Sequence, residues 1–425
     1  MVEGRYYPGT FVLEMEKEFY EEMLYSSFSY EEMATFVHEY IHYLQDISTV
    51  YALTLYQHRA KLLQLNLAVA QREKVVKIPI SLEKCGIPNV YAKTEELSFY
   101  EGDKLEKKIH HINEIQIGNE EILDEILKEY SDCKNVKIPA ILIYYDDKDI
   151  PTTFGARYIM ESMAYLIEKN CFGADTRKKE FPYNVCEIIC EKIYPELLLY
   201  PQCIVGLCEI ALMYEHSGVA FCLILLELKK KKFDSLNIIS YLENLINCNI
   251  KKLEEINVSL VKNIDFLFPP VSLVKNIDFL FPPNLKYMDV PNEYIKTIFR
   301  CGLEYRKKNH LFITNMFFEK DPLNCIKTWM EYFPTPMFFD KKKQLYGNND
   351  EIIKLLIPLA LLEYFEYPKN GCSLFEYCKD SKMKNANEDV CKKEPWKQCL
   401  NNEICPLAWY FVRFDLENKK FEIVK

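Results

Sequence analysis

Between Ser29 and Asp46, in SYEEMATFVHEYIHYLQD, the apolar positions Met33, Phe36, Val37, Tyr40, Ile41 and Leu44 recur three and four residues apart. That spacing marks one face of an α-helix. Ser29, with Glu32 three positions on, makes a capping box that would start it. After a break near Asp46 to Ser48 the period resumes through Leu55, Leu62, Leu65 and Val69 and predicts a second helix over 49–72. Upstream, a strand is expected near Thr10 to Glu14, then an acidic helical piece. From Lys74 to Tyr145 the texture changes. The β-prone runs 75–82, 113–117 and 136–145, with one helix near 120–130, predict a small sheet inserted between two helical halves. Helical period returns in GARYIMESMAYLIEK, 155–169, and residues 171–250 read as helical throughout, with Tyr214 to Gly218 as a turn between two apolar helices.

The segment VSLVKNIDFLFPP, 258–270, recurs unchanged as 271–283. Its period and its perfect identity are wrong for a solenoid repeat. It reads as a recent duplication or an artefact carried in a surface loop, where doubling the loop length costs only about 0.6 kcal/mol. The expected organisation is a catalytic unit over 1–257 with its β-containing insertion at 74–145, a duplicated linker over 258–283, and a helical accessory domain over 284–425 with a Cys-rich tail at 372–405. The fold class is α+β, mostly helical.

Composition narrows the function classes. The chain has 425 residues, 49% of them hydrophobic and 14% aromatic, enough for a large core. A net charge of -10 argues against nucleic acid as the main partner. Lys229 to Lys232 and Lys341 to Lys343 read as solvated helix ends or loops. MVEGRYYPGT has no secretory signal pattern, so a cytoplasmic protein is expected. The most apolar stretch, Cys203 to Leu228, is interrupted by Glu209, Glu215, His216 and Gly218, which predicts two buried helices and no membrane span. Sixteen cysteines in such a chain suggest reduced thiols or metal ligands before disulfides.

The chemistry concentrates on the first helix. His38-Glu39-Tyr40-Ile41-His42 has the His-Glu-x-x-His form, with 7 His in the whole chain and a chance expectation of about 0.01 occurrences. On a helix the two imidazoles fall one turn apart on one face and can reach one metal ion. Glu39 could then take a proton from a water activated there. On the 155–169 helix, Glu161 sits among Met160, Met163 and Ala164. A carboxylate there is costly unless paired or bound to metal, which makes Glu161 the candidate third ligand, with Glu168 and Asp175 as substitutes. A His-Glu-x-x-His helix followed by a helical Glu-x-x-Ala segment resembles the gluzincin class of zinc metallopeptidases. The resemblance covers roughly residues 10–170. It implies a zincin-like catalytic unit, Zn2+ held by His38, His42 and Glu161, Glu39 as general base, and a supporting, non-ligating place for Asp46. Glu161 follows His42 by 119 positions, more than in compact members of the class. No Gly-x-x-His follows His42, which excludes the elongated metzincin motif.

Other residues stay open. His216, Tyr158 and Arg157 are rival stabilisers of a tetrahedral oxyanion. Ala140 to Tyr145 is either an edge strand that would align an extended substrate or an ordinary strand. Cys372, Cys378, Cys391, Cys399 and Cys405 crowd a segment poor in core-forming residues. They could ligate a second structural Zn2+ or an iron-sulfur cluster, remain free thiols, or pair as disulfides. Cys186 and Cys190 read as core, His110-His111 as surface, and His58 and His310 have no chemical context. The expected function is zinc-dependent hydrolysis of peptide bonds in a restricted protein target, with a protein activator by analogy to bacterial toxin or defence systems. Alternatives are a binding or regulatory module with a vestigial or structural zinc site, or a hydrolase of a non-peptide amide.

Overall fold

The computed structural model describes residues 4–9, 11–15, 29–82, 94, 97–98, 100–102, 112–116, 142–145, 148–173, 182–232, 234–267, 290–319, 321–334, 336–339, 345–346, 349–368, 371–380, 387–400 and 405–424. At its centre lies α1, Tyr30–Ser48, in which every residue from Met33 to Ser48 is buried. A helix that is covered all round must satisfy each of its polar side chains internally. Its start follows the capping-box expectation: Ser29 Oγ accepts from the Glu32 amide at 3.3 Å, and the Ser29 amide donates to Glu32 Oε2 at 2.6 Å. Thr49 ends α1 and caps α2, Val50–Arg72. The break thus falls just beyond the predicted Asp46 to Ser48, at Thr49, a β-region residue that serves two helices.

Around this pair pack α3, Ala156–Phe172; α4, Val185–Ile193; α5, Pro201–Ala211; α6, Ser217–Lys231; α7, Ser235–Leu267; and α8, Val290–Lys308. The apolar stretch Cys203 to Leu228 divides between α5 and α6, as its polar interruptions require. Among the described residues, no helix is long and apolar enough to cross a membrane.

The described strands form three small sheets beside the helices. In the first, of order β1-β2-β7-β8, β1 (Gly4–Tyr7) pairs antiparallel with β2 (Val12–Met15). Next to β2 lies β7 (Met337–Phe339) in parallel, with Val12 opposite Met337, and β8 (Leu345–Tyr346) completes the sheet. In the second, β3 (Val75–Ile78) runs parallel to β9 (Lys420–Ile423). The third is an antiparallel sheet of β4 (Ile112–Gln116), β5 (Leu142–Tyr145) and β6 (Lys148–Thr153). The inserted sheet therefore exists, but β3 is not part of it. A run such as Val75–Ile78 cannot reveal in sequence that its partner lies near residue 420.

Two expectations change. The first repeat copy is not a loop up to residue 267: α7 continues through it, with Leu260 wholly buried and Ser259 Oγ accepting from Gln57 Nε2 at 2.5 Å. The repeat's apolar residues at helical spacing extend the helix already under way. The second copy lies outside the described residues, as do the expected helices at 16–28 and 120–130. Residues from 290 onward, expected as an accessory domain, share one hydrophobic core with the first two-thirds: Phe299 packs edge-on against Phe11, and Phe338 lies against Phe36 with the rings tilted by 31°. The molecule is a mostly helical α+β protein.

Candidate metal centre

α1 and α3 cross so that His38 and His42 face Glu161. His38 Nε2 stands 3.2 Å from His42 Nε2 and 3.2 Å from Glu161 Oε2, and His42 Nε2 lies 3.6 Å from the same oxygen. Among the described residues, this is the one group of three or more His, Cys, Asp or Glu whose ligand atoms lie within 4.8 Å of one another. The histidines are buried, while the Glu161 side chain keeps 28% of its surface exposed and so marks the open side.

The rings are oriented from behind. His38 Nδ1 lies 3.0 Å from Glu168 Oε2, a carboxylate that can only accept when ionised. His42 Nδ1 lies 2.8 Å from Gln45 Oε1. The Gln45 amide is itself fixed, because its Nε2 donates to the Met160 carbonyl at 3.2 Å, so its oxygen must face His42. Both imidazoles thus carry their proton on Nδ1 and point an Nε2 lone pair at the Glu161 carboxylate. Three electron-rich atoms about 3.2–3.6 Å apart repel unless a cation lies between them. The donor set therefore fits a divalent metal, and two imidazoles with one carboxylate is a set that suits zinc.

Glu39, also buried, accepts the Tyr6 amide of β1 on Oε2 at 2.8 Å. β1 lies close over the helix here: a Cβ on Gly4 would fall 2.5 Å from Thr35 Cγ2 and 3.0 Å from Glu39 Cγ. Asp46 holds the same strand, accepting Tyr6 Oη at 2.7 Å and the Gly9 amide at 2.6 Å. Burial raises the Asp46 carboxyl, and these hydrogen bonds offset part of that rise. Tyr6 also stacks on His42, with ring centroids 6.5 Å apart. Sequence reasoning missed Tyr6, since nothing local links position 6 to a helix thirty residues on. It also missed Tyr183, which sets its ring edge-on to His38 at 5.7 Å.

Of the rival ligands, Glu168 stands behind His38, on its far nitrogen, and Asp175 lies outside the described residues. The proposed oxyanion partners have other engagements. Tyr158 is 1% exposed and stacks on Phe154, and Arg157 pairs with Glu101. His216 caps α6, its Nδ1 accepting from Val219 at 3.4 Å, and packs its ring on Tyr100. β5, which holds the described part of Ala140 to Tyr145, pairs on both sides and so has no edge to offer a substrate. β1 is the edge strand that lies beside the motif helix. Of the remaining histidines, His58 contacts Thr94 and His310 offers its carbonyl to Arg306, while His110 and His111 lie outside the described residues. Cys186 and Cys190 are wholly buried, as core residues. The sequence matches no protein-family model, no curated protein and no solved structure.

Proposed function

We propose that this chain is a zinc metallopeptidase of the gluzincin type that hydrolyses peptide bonds in a protein or peptide substrate. The observation that carries this reading is the convergence of two Nε2 lone pairs and the Glu161 carboxylate, next to a carboxylate, Glu39, that follows the first histidine on the same helix. His38, His42 and Glu161 would hold the ion, which when bound polarises a substrate carbonyl and makes a nearby water acidic.

The protein's own side chains supply the rest. Glu168 and Gln45 fix the two imidazoles, so ligand geometry is set before any ion arrives. Glu39 takes the proton of the attacking water and returns it to the departing amine. Its hydrogen bond from the Tyr6 amide holds the carboxylate in place. Burial of α1 keeps bulk water from the rear of the site, and the exposed flank of Glu161 leaves the front open.

The test is Glu39→Gln. The amide can still accept from Tyr6, so fold and metal content should be retained while turnover is lost. Mapping new N-termini in a proteome treated with wild type or with Glu39→Gln identifies the substrate in the same experiment. A Glu39→Gln protein that cleaves as fast as wild type would sink the proposal.

A further inference from the structure

α5, α6 and α7 follow one another through short connections and pack together. Cys203 Sγ, in the first turn of α5, donates to the Ser235 carbonyl that opens α7, 3.7 Å away. Further along both helices, a Cβ on Gly206 would fall 3.1 and 3.6 Å from the Leu242 and Ile239 side chains. α5 and α7 therefore run side by side in the same direction, and α6 returns between their sequence positions. The start of α5, the end of α6 and the start of α7 consequently share one end of this helical layer.

That end combines two unusual features. The two most exposed large hydrophobic side chains among the described residues, Leu236 at 79% and Leu199 at 75%, both lie there. Leu236 is in the first turn of α7, and Leu199 ends the 3-10 turn Pro195–Leu199 that leads into α5. Leu198 and Tyr200, on either side of Leu199, are exposed as well. This turn is anchored: Leu197 is buried and its carbonyl accepts the Tyr200 amide at 2.9 Å, while the Tyr200 carbonyl accepts the Cys203 amide at 2.8 Å. The buried neighbour holds the other three side chains outward.

The second feature is the longest unbroken run of charge in the chain, Lys229 to Lys232, which closes α6 with all four residues exposed. Lys231 leans across to α7, with Nζ 4.3 Å from the centre of the Tyr241 ring, and so brings the run up to the helix that bears Leu236. Of the neighbouring acids, Glu227 is paired with Lys231, and Asp234 is turned to α7, where it accepts the Asn237 amide at 2.8 Å. Glu196 stands in the turn before α5. The lysines, helped by the amide ends of α5 and α7, make this end positive on a chain whose net charge is -10.

We propose that this end of the α5-α6-α7 layer is a docking surface for an anionic lipid bilayer. Charge complementarity selects the occupant: lipid phosphates and carboxylates meet the ammonium groups at headgroup depth, while the negative charge of the rest of the chain turns its other faces away. Leucines that stand apart bury little against a flat protein partner, but a fluid interface takes in apolar side chains at any spacing. Neither signal suffices alone; inserted apolar groups together with a basic patch are what hold a peripheral protein. The surface uses no residue of the histidine site, so it stands or falls separately from the peptidase reading.

The test is co-sedimentation of the full-length protein with vesicles of phosphatidylcholine, with and without phosphatidylserine. Binding is expected only where phosphatidylserine is present, and it should fall as salt is raised. Lys231 is left in place because it packs on Tyr241. Lys229→Gln, Lys230→Gln and Lys232→Gln together should lower partition about 100-fold, at about fivefold for each ammonium group. Leu199→Ser with Leu236→Ser, made as a separate protein, should lower it about 10-fold. All five positions are exposed, so circular dichroism should be unchanged, and if one variant fails to fold the other decides. A wild type that ignores phosphatidylserine, or binds both vesicle types equally, overturns the proposal. So does binding that survives the substitutions, or a wild-type dimer that the leucine variant dissolves without any lipid binding, which would assign the surface to a second copy.

Discussion

The orientation of two imidazole rings decides whether α1 can bind an ion at all, and that orientation is set by Glu168 and Gln45. Glu168→Ala removes the acceptor that holds the His38 tautomer, and Gln45→Ala does the same for His42. Each should weaken metal binding by about 10- to 100-fold, read in competition with a chromophoric chelator, with little change in thermal stability. Replacing Glu161 by Ala should be more severe, since it takes away a ligand. The four residues at the centre of the site were legible in sequence for two physical reasons. His38, Glu39 and His42 lie within one helical turn, and Glu161 is a carboxylate on an otherwise apolar face. Glu168, seven positions further along the same face, was legible as a rival ligand; that it turns to the far nitrogen of His38 depends on where α3 crosses α1. Tyr6 and Tyr183 reach the site from distant segments, and local pattern carries no trace of that.

Packing between elements rests on a few close approaches. α8 crosses the end of α1 at Gly302, where a Cβ would fall 2.2 Å from the Ile47 carbonyl oxygen. Gly302→Ala must push the helices apart, and we expect a loss of about 1–3 kcal/mol in chemical denaturation, although alanine is the better helix former. The periodicity of apolar residues located α1, α2 and α3 within a few residues, because each buries a face at regular spacing. It also located, through β-prone runs, β4 and β5 of the small antiparallel sheet, but not β6. It did not disclose the parallel ladders β2 with β7 and β3 with β9, nor the reach of α7 into the repeat, since partner choice is a property of the packed molecule.

At the scale of the whole molecule, one buried ion pair joins the two stretches expected to be separate domains. Arg306 and Glu209 are both fully buried and in contact. Arg306 also donates to the Ser48 carbonyl at 3.3 Å and to Ser48 Oγ at 2.9 Å, capping the carbonyl end of α1. Glu209 in turn accepts the amides of Ile313 and Thr314 at 3.2 and 2.7 Å. Glu209→Ala would strand a guanidinium in the core and should cost about 3–5 kcal/mol, measured by calorimetry. A fragment ending at residue 283 should therefore neither fold nor retain metal at the histidine site, even though it contains every proposed ligand; a stable, metal-loaded fragment would show that the two stretches are separable after all.

The β3 ladder has a bearing on how the protein is made. Val75 cannot meet Lys420 until the ribosome has delivered nearly everything between them. The hydrophobic flank of β3 must then wait, uncovered, through most of synthesis, which invites chaperone binding to the nascent chain.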